Sequence, residues 1–202
     1  MPTLAERGVR LAGSADRARV ATLLSDAFAD DPAMRFIFPD AADRARRLPR
    51  LFGLLFDRGG AAGMRLLTAG GEAATFWRAP GRVHTGRWEM LRSLPQLLWA
   101  LGPNVARAMR VADAIDVHMP AGDYWYLHMA GCDPAQQGRG HGAAAVRAGL
   151  RRAAVRLPAC LETATERNIA FYTGLGFAVT GEWTVPGGGP RFWSMLRPAD
   201  QA

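Results

Sequence analysis

The sequence predicts an α/β domain built on a mixed sheet, and three observations carry that expectation. Strand-like and helical segments alternate from Tyr124 onward and end in a hairpin, the pattern of a sheet flanked by helices. A glycine-rich run, Gln137-Gly138-Arg139-Gly140-His141-Gly142, separates the first of these strands from the helix after it. Two helical segments with one apolar face each stand earlier in the chain, suited to cover a sheet.

In chain order, Val9–Ala12 reads as a short strand, and Ser14 or Asp16 then caps a helix. Val20, Leu23, Leu24, Ala27 and Phe28 give that helix one buried face, and Asp31-Pro32 ends it. Phe36-Ile37-Phe38-Pro39 reads as an apolar loop or turn. A second helix carries Leu48, Leu51, Phe52, Leu55 and Phe56 on one face. Pro49 implies a late start or a kink, and Gly59-Gly60 a stop. Met64–Thr68 and Ala73–Arg78 form a hairpin around Ala69-Gly70-Gly71.

Residues 80–120 differ. Pro80, Pro95, Pro103 and Pro120 punctuate two helical stretches, 88–101 and 104–115. They read as a helical excursion within one domain spanning 1–202. Tyr124–Cys132 is a strand, Asp133–Gly142 a loop and Ala143–Arg156 a helix with Arg147, Arg151, Arg152 and Arg156 outward. Cys160–Thr163 is a short strand. Asn168–Leu175 is a short helix ended by Gly176, and Phe177–Thr184 and Arg191–Arg197 pair through a Pro-Gly-rich turn.

Composition narrows the class. A chain of 202 residues with 49% hydrophobic and 21% charged residues is ordinary for a globular domain and is no collagen, coiled coil or disordered tail. No apolar run reaches the roughly 20 residues of a membrane span. Met1–Arg10 lacks an apolar signal core, so the expected compartment is the cytoplasm. The net charge is +7. All of its basic residues are arginine, which admits either a nucleic-acid partner or the codon bias of a GC-rich genome rich in Ala, Gly, Arg and Pro; no nucleic acid or membrane partner is expected. Cys132 and Cys160 form no Cys-x-x-Cys pair, and His84, His118, His128 and His141 lack zinc spacing, so reduced thiols and no metal are expected.

The glycine run lies between a strand and a helix. Unpaired N–H groups and the partial positive charge of a helix start attract phosphate, and glycine lets it approach. No Gly-Lys-Ser/Thr comes after it, so this is not a Walker loop, and its strand comes too late for a Rossmann match.

The stretch Trp125–Gly142, with its Gln137-x-x-Gly140-x-Gly142 core, resembles motif A of the GNAT N-acetyltransferases. Leu161–Phe177, ending in Tyr172-x-x-x-Gly176-Phe177, looks like motif B. The resemblance covers nearly the whole chain. Val9–Ala12, Ala27–Asp30, Leu161–Thr163 and Gly189–Met195 look most like puromycin N-acetyltransferase and its actinobacterial relatives. Asp31 departs from the aromatic residue found there, and residues 80–120 match poorly.

The resemblance implies a GNAT fold, with a mostly antiparallel sheet, two splayed parallel strands and flanking helices. It implies acetyl-CoA held between strands 124–132 and 160–163, with the backbone of Ala130, Gly131 and Cys132 facing pantetheine. Gln137, Gly138, Arg139, Gly140, His141, Gly142 and Ala143 would cradle the pyrophosphate. Asn168 would bond CoA or the adjoining backbone, although many members carry Asn where this chain has Thr165. Tyr172 matches the general acid that protonates the leaving thiolate, or is a packed core tyrosine. The base is His128, which arylalkylamine acetyltransferases match, or Glu162 on the facing strand, or a water chain. Cys132 reads as a small strand residue and not a nucleophile. Phe28, Asp30, Asp31, Phe36, Phe38 and Tyr124, with Trp88, would shape the acceptor side: the carboxylates for an ammonium group, the aromatics for an apolar body.

The expected activity is acetyl transfer from acetyl-CoA to the primary amine of a small molecule, such as an aminonucleoside or antibiotic-like amine, by a monomer or homodimer. The alternatives are a peptide or protein N-terminal acetyltransferase, and a non-catalytic module that binds acyl-CoA or RNA.

Overall fold

The computed structural model describes residues 8–83, 94–153 and 157–199. Seven strands form one sheet in the order β1-β2-β3-β4-β5-β7-β6. They are β1 (Val9–Leu11), β2 (Gly63–Thr68), β3 (Ala73–Arg78), β4 (Trp125–Cys132), β5 (Ala159–Thr163), β6 (Ala178–Thr184) and β7 (Arg191–Arg197). Only β4 and β5 run parallel; every other neighbouring pair is antiparallel. The expected mixed α/β fold with flanking helices is therefore present, and its one parallel pair is where the sheet opens.

One face is covered by α1 (Arg17–Ala27), α2 (Pro32–Ile37), α3 (Ala41–Ala62), α4 (Leu94–Leu101) and α5 (Val105–His118). Val20, Leu24, Phe38, Phe52 and Phe56 pack there on Leu67, Ala74 and Phe76 of the sheet. The other face is covered by α6 (His141–Arg152) and α7 (Asn168–Thr173), whose Val146, Ala148 and Tyr172 meet Trp77, Leu127 and Leu161.

Several boundaries differ from the sequence-based expectation, each for a local reason. Phe36 and Ile37 are not loop, although Phe38 and Pro39 are: Pro32–Ile37 is a helix, because Asp31 Oδ1 accepts the N–H groups of Ala33 and Met34 at 2.9 and 3.2 Å and Pro32 presets its first turn. Asp16 does not cap α1 with its side chain. Its carboxylate instead takes two bonds of 2.6 Å from Arg10 and one from the Gly13 N–H. The α3 helix starts well before Pro49 and runs through Gly59-Gly60 to Ala62. The Arg65 guanidinium lies 4.1 Å over the Phe56 ring and close above Gly60, so it roofs the turn that two glycines would otherwise loosen. Of the expected excursion, 94–101 and 105–118 are helical, while 88–93, with Trp88, lies outside the described residues, as does Arg156.

Candidate active site

The β4 and β5 strands pair at only two positions, Trp125 with Ala159 and Tyr126 with Cys160. Beyond them β4 stays on β3 to Cys132, and β5 stays on β7 to Thr163. The two strands thus leave a wedge whose β4 wall is the backbone of Ala130, Gly131 and Cys132. A bulge on β4 at His128 shifts the register between Phe76 and Trp77. The bulge re-aims the side chains beyond it. Leu127 packs with the α6 side, Met129 with the α1–α3 side and Ala130 again with the α6 side, an order that unbroken alternation forbids. Strand periodicity alone carries no sign of it.

The glycine loop closes the wide end of the wedge. Gly138 and Gly140 have φ of 77° and 86°, the left-handed region, and a Cβ at either would stand in open space. Gly140 begins α6 with no side-chain cap, so the helix start presents its amides outward. Gln137 and Arg139 are placed on the loop, Arg139 exposed. His141 Nδ1 sits 3.9 Å from Glu72, whose carboxylate also accepts the Thr68 hydroxyl at 2.6 Å. A Cβ on Gly142 would lie 3.8 Å from Phe171 and 3.9 Å from Cys132, beside Ala143 at the helix start. Phe171 is 38% exposed, an apolar side chain at the mouth of the wedge that the motif reading passed over in favour of its neighbour Tyr172. Gly131 has a packing reason for its identity: a Cβ there would come within 2.6 Å of Leu24, so its glycine lets α1 approach β4.

On the α1–α5 face of the sheet, here called the helical-cover face, Tyr126, Cys160 and Tyr124 are buried together. Both carboxylate oxygens of Glu162 are buried without a hydrogen-bond partner. Burial pushes this carboxyl up to about 7, and the Tyr126 hydroxyl beside it pulls the other way. His128 lies beside Tyr126, ring centroids 5.6 Å apart. Burial and the Arg78 guanidinium hold its imidazole well below the usual histidine range. Burial acts on both candidate bases, and because it disfavours the charged form it raises the Glu162 carboxyl and lowers the His128 imidazole; Arg78 lowers His128 further.

Tyr172 is 7% exposed and packs edge-on against Phe171 and Phe177. Burial, then the nearby Asp31 charge, raise its phenol, so it stays protonated at neutral pH. Asn168 donates to Thr163 Oγ1 at 3.3 Å, so its amide ties α7 to β5. Thr165, in the place where the motif more often has Asn, meets Asp31 Oδ2 at 3.5 Å.

The remaining acceptor-side residues scatter. Asp31 faces Thr165 and Tyr172, but Asp30 is exposed to solvent. Phe28 lies tilted against Phe52, ring centroids 5.3 Å apart, next to Gly131. Phe36 lies under the Arg107 guanidinium at 5.7 Å. Phe38 is fully enclosed among core side chains and faces no cleft. Tyr124 is buried beside Cys160 and Glu162, and desolvation pushes its phenol up to about 12. Among the described residues no group of His, Cys, Asp and Glu could hold a metal, and no helix is long and apolar enough to cross a membrane.

Comparison with known proteins agrees with this geometry. The model of the acetyltransferase (GNAT) family matches residues 86–177, which contain the bulged strand, the glycine loop, Glu162 and Tyr172. A solved structure described as histone acetyltransferase HPA2 and related acetyltransferase, from Corynebacterium glutamicum, is 25% identical, with 96% of this chain and 97% of that one covered at a TM-score of 0.72. Arylalkylamine N-acetyltransferase 2 of Aedes aegypti shares the fold at 11% identity, coverage of 95% and 98%, and a TM-score of 0.62. The ribosomal-protein-S18-alanine N-acetyltransferase of Escherichia coli does so at 15% identity, coverage of 96% and 94%, and a TM-score of 0.54. The splayed parallel pair lies within the stretch that the acetyltransferase (GNAT) family model matches, and these neighbours share its fold, so the chain resembles the GNAT N-acetyltransferases.

Proposed function

We propose that the chain transfers acetyl from acetyl-CoA to the primary amine of a small molecule, with Glu162 as the general base and Tyr172 as the general acid. The observation that carries this reading is the wedge between β4 and β5. A buried carboxylate beside the Tyr126 hydroxyl stands on one side of it, and an uncapped helix start with two left-handed glycines at its wide end. The loop fits a pyrophosphate, because the space above Gly138 and Gly140 is open and the amides at the start of α6 point outward. Acetyl-CoA, when bound, supplies an activated thioester. The backbone edge of Ala130–Cys132 carries donors that no β5 strand uses, suited to charge developing on a carbonyl oxygen.

Glu162 suits the base role better than His128. A base is most effective when its pKa lies near the working pH, and burial brings Glu162 to about 7. His128 is desolvated beside Arg78 and is a weak proton acceptor there. A protonated phenol at Tyr172 is a competent donor to a departing thiolate. The arylalkylamine specificity named for the mosquito neighbour supports a small amine as acceptor.

The test is an acetyl-CoA-dependent screen of small amines with product mass detection, repeated with Glu162→Gln and His128→Gln. Wild-type turnover should rise with pH through about 7, as the carboxyl ionises. Glu162→Gln should lower turnover by about 10²-fold or more and abolish that limb. A limb lost in His128→Gln and kept in Glu162→Gln would reverse the assignment.

A further inference from the structure

Glu162 lies two residues beyond the point where β4 and β5 part. The last bridge between the strands joins Tyr126 to Cys160. Side chains alternate along a strand, so Glu162 shares a face with Cys160, and on that face Tyr126 packs against Cys160. An aromatic side chain is long enough to reach the diagonal neighbour on an adjoining strand. The Tyr126 hydroxyl accordingly stands beside the Glu162 carboxylate, and each group acts on the other. Neither carboxylate oxygen has an aligned bond to any other described side chain. Tyr126 is 4% exposed, and Val83, Tyr124 and Cys160 hold its ring, with the His128 ring 5.6 Å away. The phenol is therefore fixed where it meets the carboxylate.

A carboxylate has two oxygens, and a base uses one of them. A donor fixed on the first leaves the lone pairs of the second toward the wedge. The same donor favours the charged form, so it opposes the burial that keeps Glu162 protonated. Resting on the reading of Glu162 as the general base, we propose that Tyr126 is its positioning residue: the Tyr126 hydroxyl donates to one Glu162 oxygen and aims the other at the acceptor amine. The amine N–H bond breaks, its proton joins the free oxygen, and the phenol keeps its own proton. Burial pushes Tyr124 and Cys160 upward and His128 downward, so these neighbours stay neutral near pH 7. Asp116 of α5 acts on Tyr124, and Arg78 of β3 on Tyr126 and His128. Ser194 stands opposite Glu162 on β7, where its hydroxyl accepts the Trp183 indole N–H at 2.9 Å.

The pH profile of turnover, with the best acceptor from the amine screen, separates this role from packing. Tyr126→Phe keeps the ring and removes the donor. Its rising limb should move to higher pH by about one unit, so that turnover at pH 6 falls by about tenfold against wild type. Ser194→Ala removes the other hydroxyl on that face and should leave the limb in place. In a Glu162→Gln background, Tyr126→Phe should change turnover by less than about twofold. An equal limb shift in Ser194→Ala, or the full Tyr126→Phe loss on top of Glu162→Gln, would overturn the proposal. A limb that survives Glu162→Gln would reject the base assignment and the proposal with it. A limb lost there but unmoved in Tyr126→Phe would reject the positioning role alone. A second readout needs no acceptor: carboxyl NMR titration of the full chain with labelled glutamate, Glu162 being assigned by its loss in Glu162→Gln. The Glu162 midpoint should rise in Tyr126→Phe, and an unmoved midpoint would overturn the contact. Should Tyr126→Phe not fold, the infrared difference between wild type and Glu162→Gln at pH 5 decides: a carboxyl stretch lowered by hydrogen bonding supports the contact, and a free-acid stretch overturns it.

Discussion

The two ends of the β4–β5 wedge are built from different material. The glycine-loop end is backbone: left-handed Gly138 and Gly140, an uncapped helix start, and a strand edge left open by the splay. The helical-cover end is side chain: Glu162, Tyr126, His128 and Arg78 come from three strands and are tuned by how deeply they are buried. Backbone donors bind any ligand that offers phosphate oxygens, whereas buried side chains reject ligands that leave them unpaired. On the proposed function, cofactor binding falls at one end and acceptor choice at the other, so variants at the two ends should fail in different ways.

The largest expected effect is at Tyr172, where the two ends meet. Tyr172→Phe keeps the ring between Phe171 and Phe177 and removes only the hydroxyl. Turnover should fall by about 10²–10⁴-fold while acetyl-CoA affinity changes by less than about fivefold. Steady-state kinetics and calorimetry check this. Near-wild-type turnover would leave Tyr172 a packing residue and dissolve the proposed acid.

The next effect belongs to the backbone end alone. Replacing Gly140 by Val puts a β-branched residue at φ of 86° and a side chain into the open space over the helix start. Saturating acetyl-CoA should raise the wild-type melting temperature, since a ligand of the native state at about 100 times its Kd stabilises by about 2.7 kcal/mol. Gly140→Val should lose most of that rise. Glu162→Gln, at the other end, should keep it. Equal loss in both variants would erase the division between the ends.

The same division explains what could be read from the chain. The glycine loop was legible because its chemistry lies in consecutive residues: Gln137 to Gly140 stands between strand and helix, although the helix begins at His141, two residues earlier than the spacing predicts. The general order of strands and helices was legible from apolar periodicity. The bulge at His128 was not, because one extra residue leaves the composition of β4 unchanged and alters only its register. Nor was the α2 helix: Phe36-Ile37-Phe38 is too short a run to show a period, and the capping by Asp31 that stabilises it depends on a carboxylate that also reads as a ligand for ammonium. The proposed choice of Glu162 over His128 depends on how burial shifts each group and on Arg78, which lies on a different strand far from His128 in sequence, and no local pattern encodes that.

Glu162 also allows a stability test of the side-chain end. Its folded-state pKa is raised above the unfolded value, so the folded protein binds the proton more tightly. Stability from this group is fully present below the unfolded pKa and is lost as pH rises through about 7. Glu162→Gln has no such loss. The variant should match wild type near pH 4 and exceed it by about 1–3 kcal/mol at pH 8, while being the less active enzyme. Denaturant melts at the two pH values measure this; a variant less stable than wild type at pH 8 would show that the carboxylate is satisfied after all.

The smallest effect separates two roles for Asp31, a helix cap or a docking point for the acceptor's ammonium group. One oxygen, Oδ1, takes both N–H groups at the start of α2, and the other only touches the Thr165 hydroxyl at 3.5 Å. Burial raises this carboxyl, and the cap bonds pull it back without reversing the shift. A group placed mainly to be an anion would be held low, and this one is not. The cap role therefore predicts a specific pair of outcomes. Asp31→Asn keeps an acceptor oxygen and should change stability by less than about 0.5 kcal/mol, because Asn caps as well as Asp. Asp31→Ala loses the cap and should cost about 1 kcal/mol. Turnover in Asp31→Asn should stay within about threefold of wild type, since truncating a cap acts on the helix and not on the reacting atoms. A selective rise in the acceptor KM of Asp31→Asn, with stability unchanged, would instead make Asp31 the ammonium contact and move part of acceptor recognition to the α1–α2 connection.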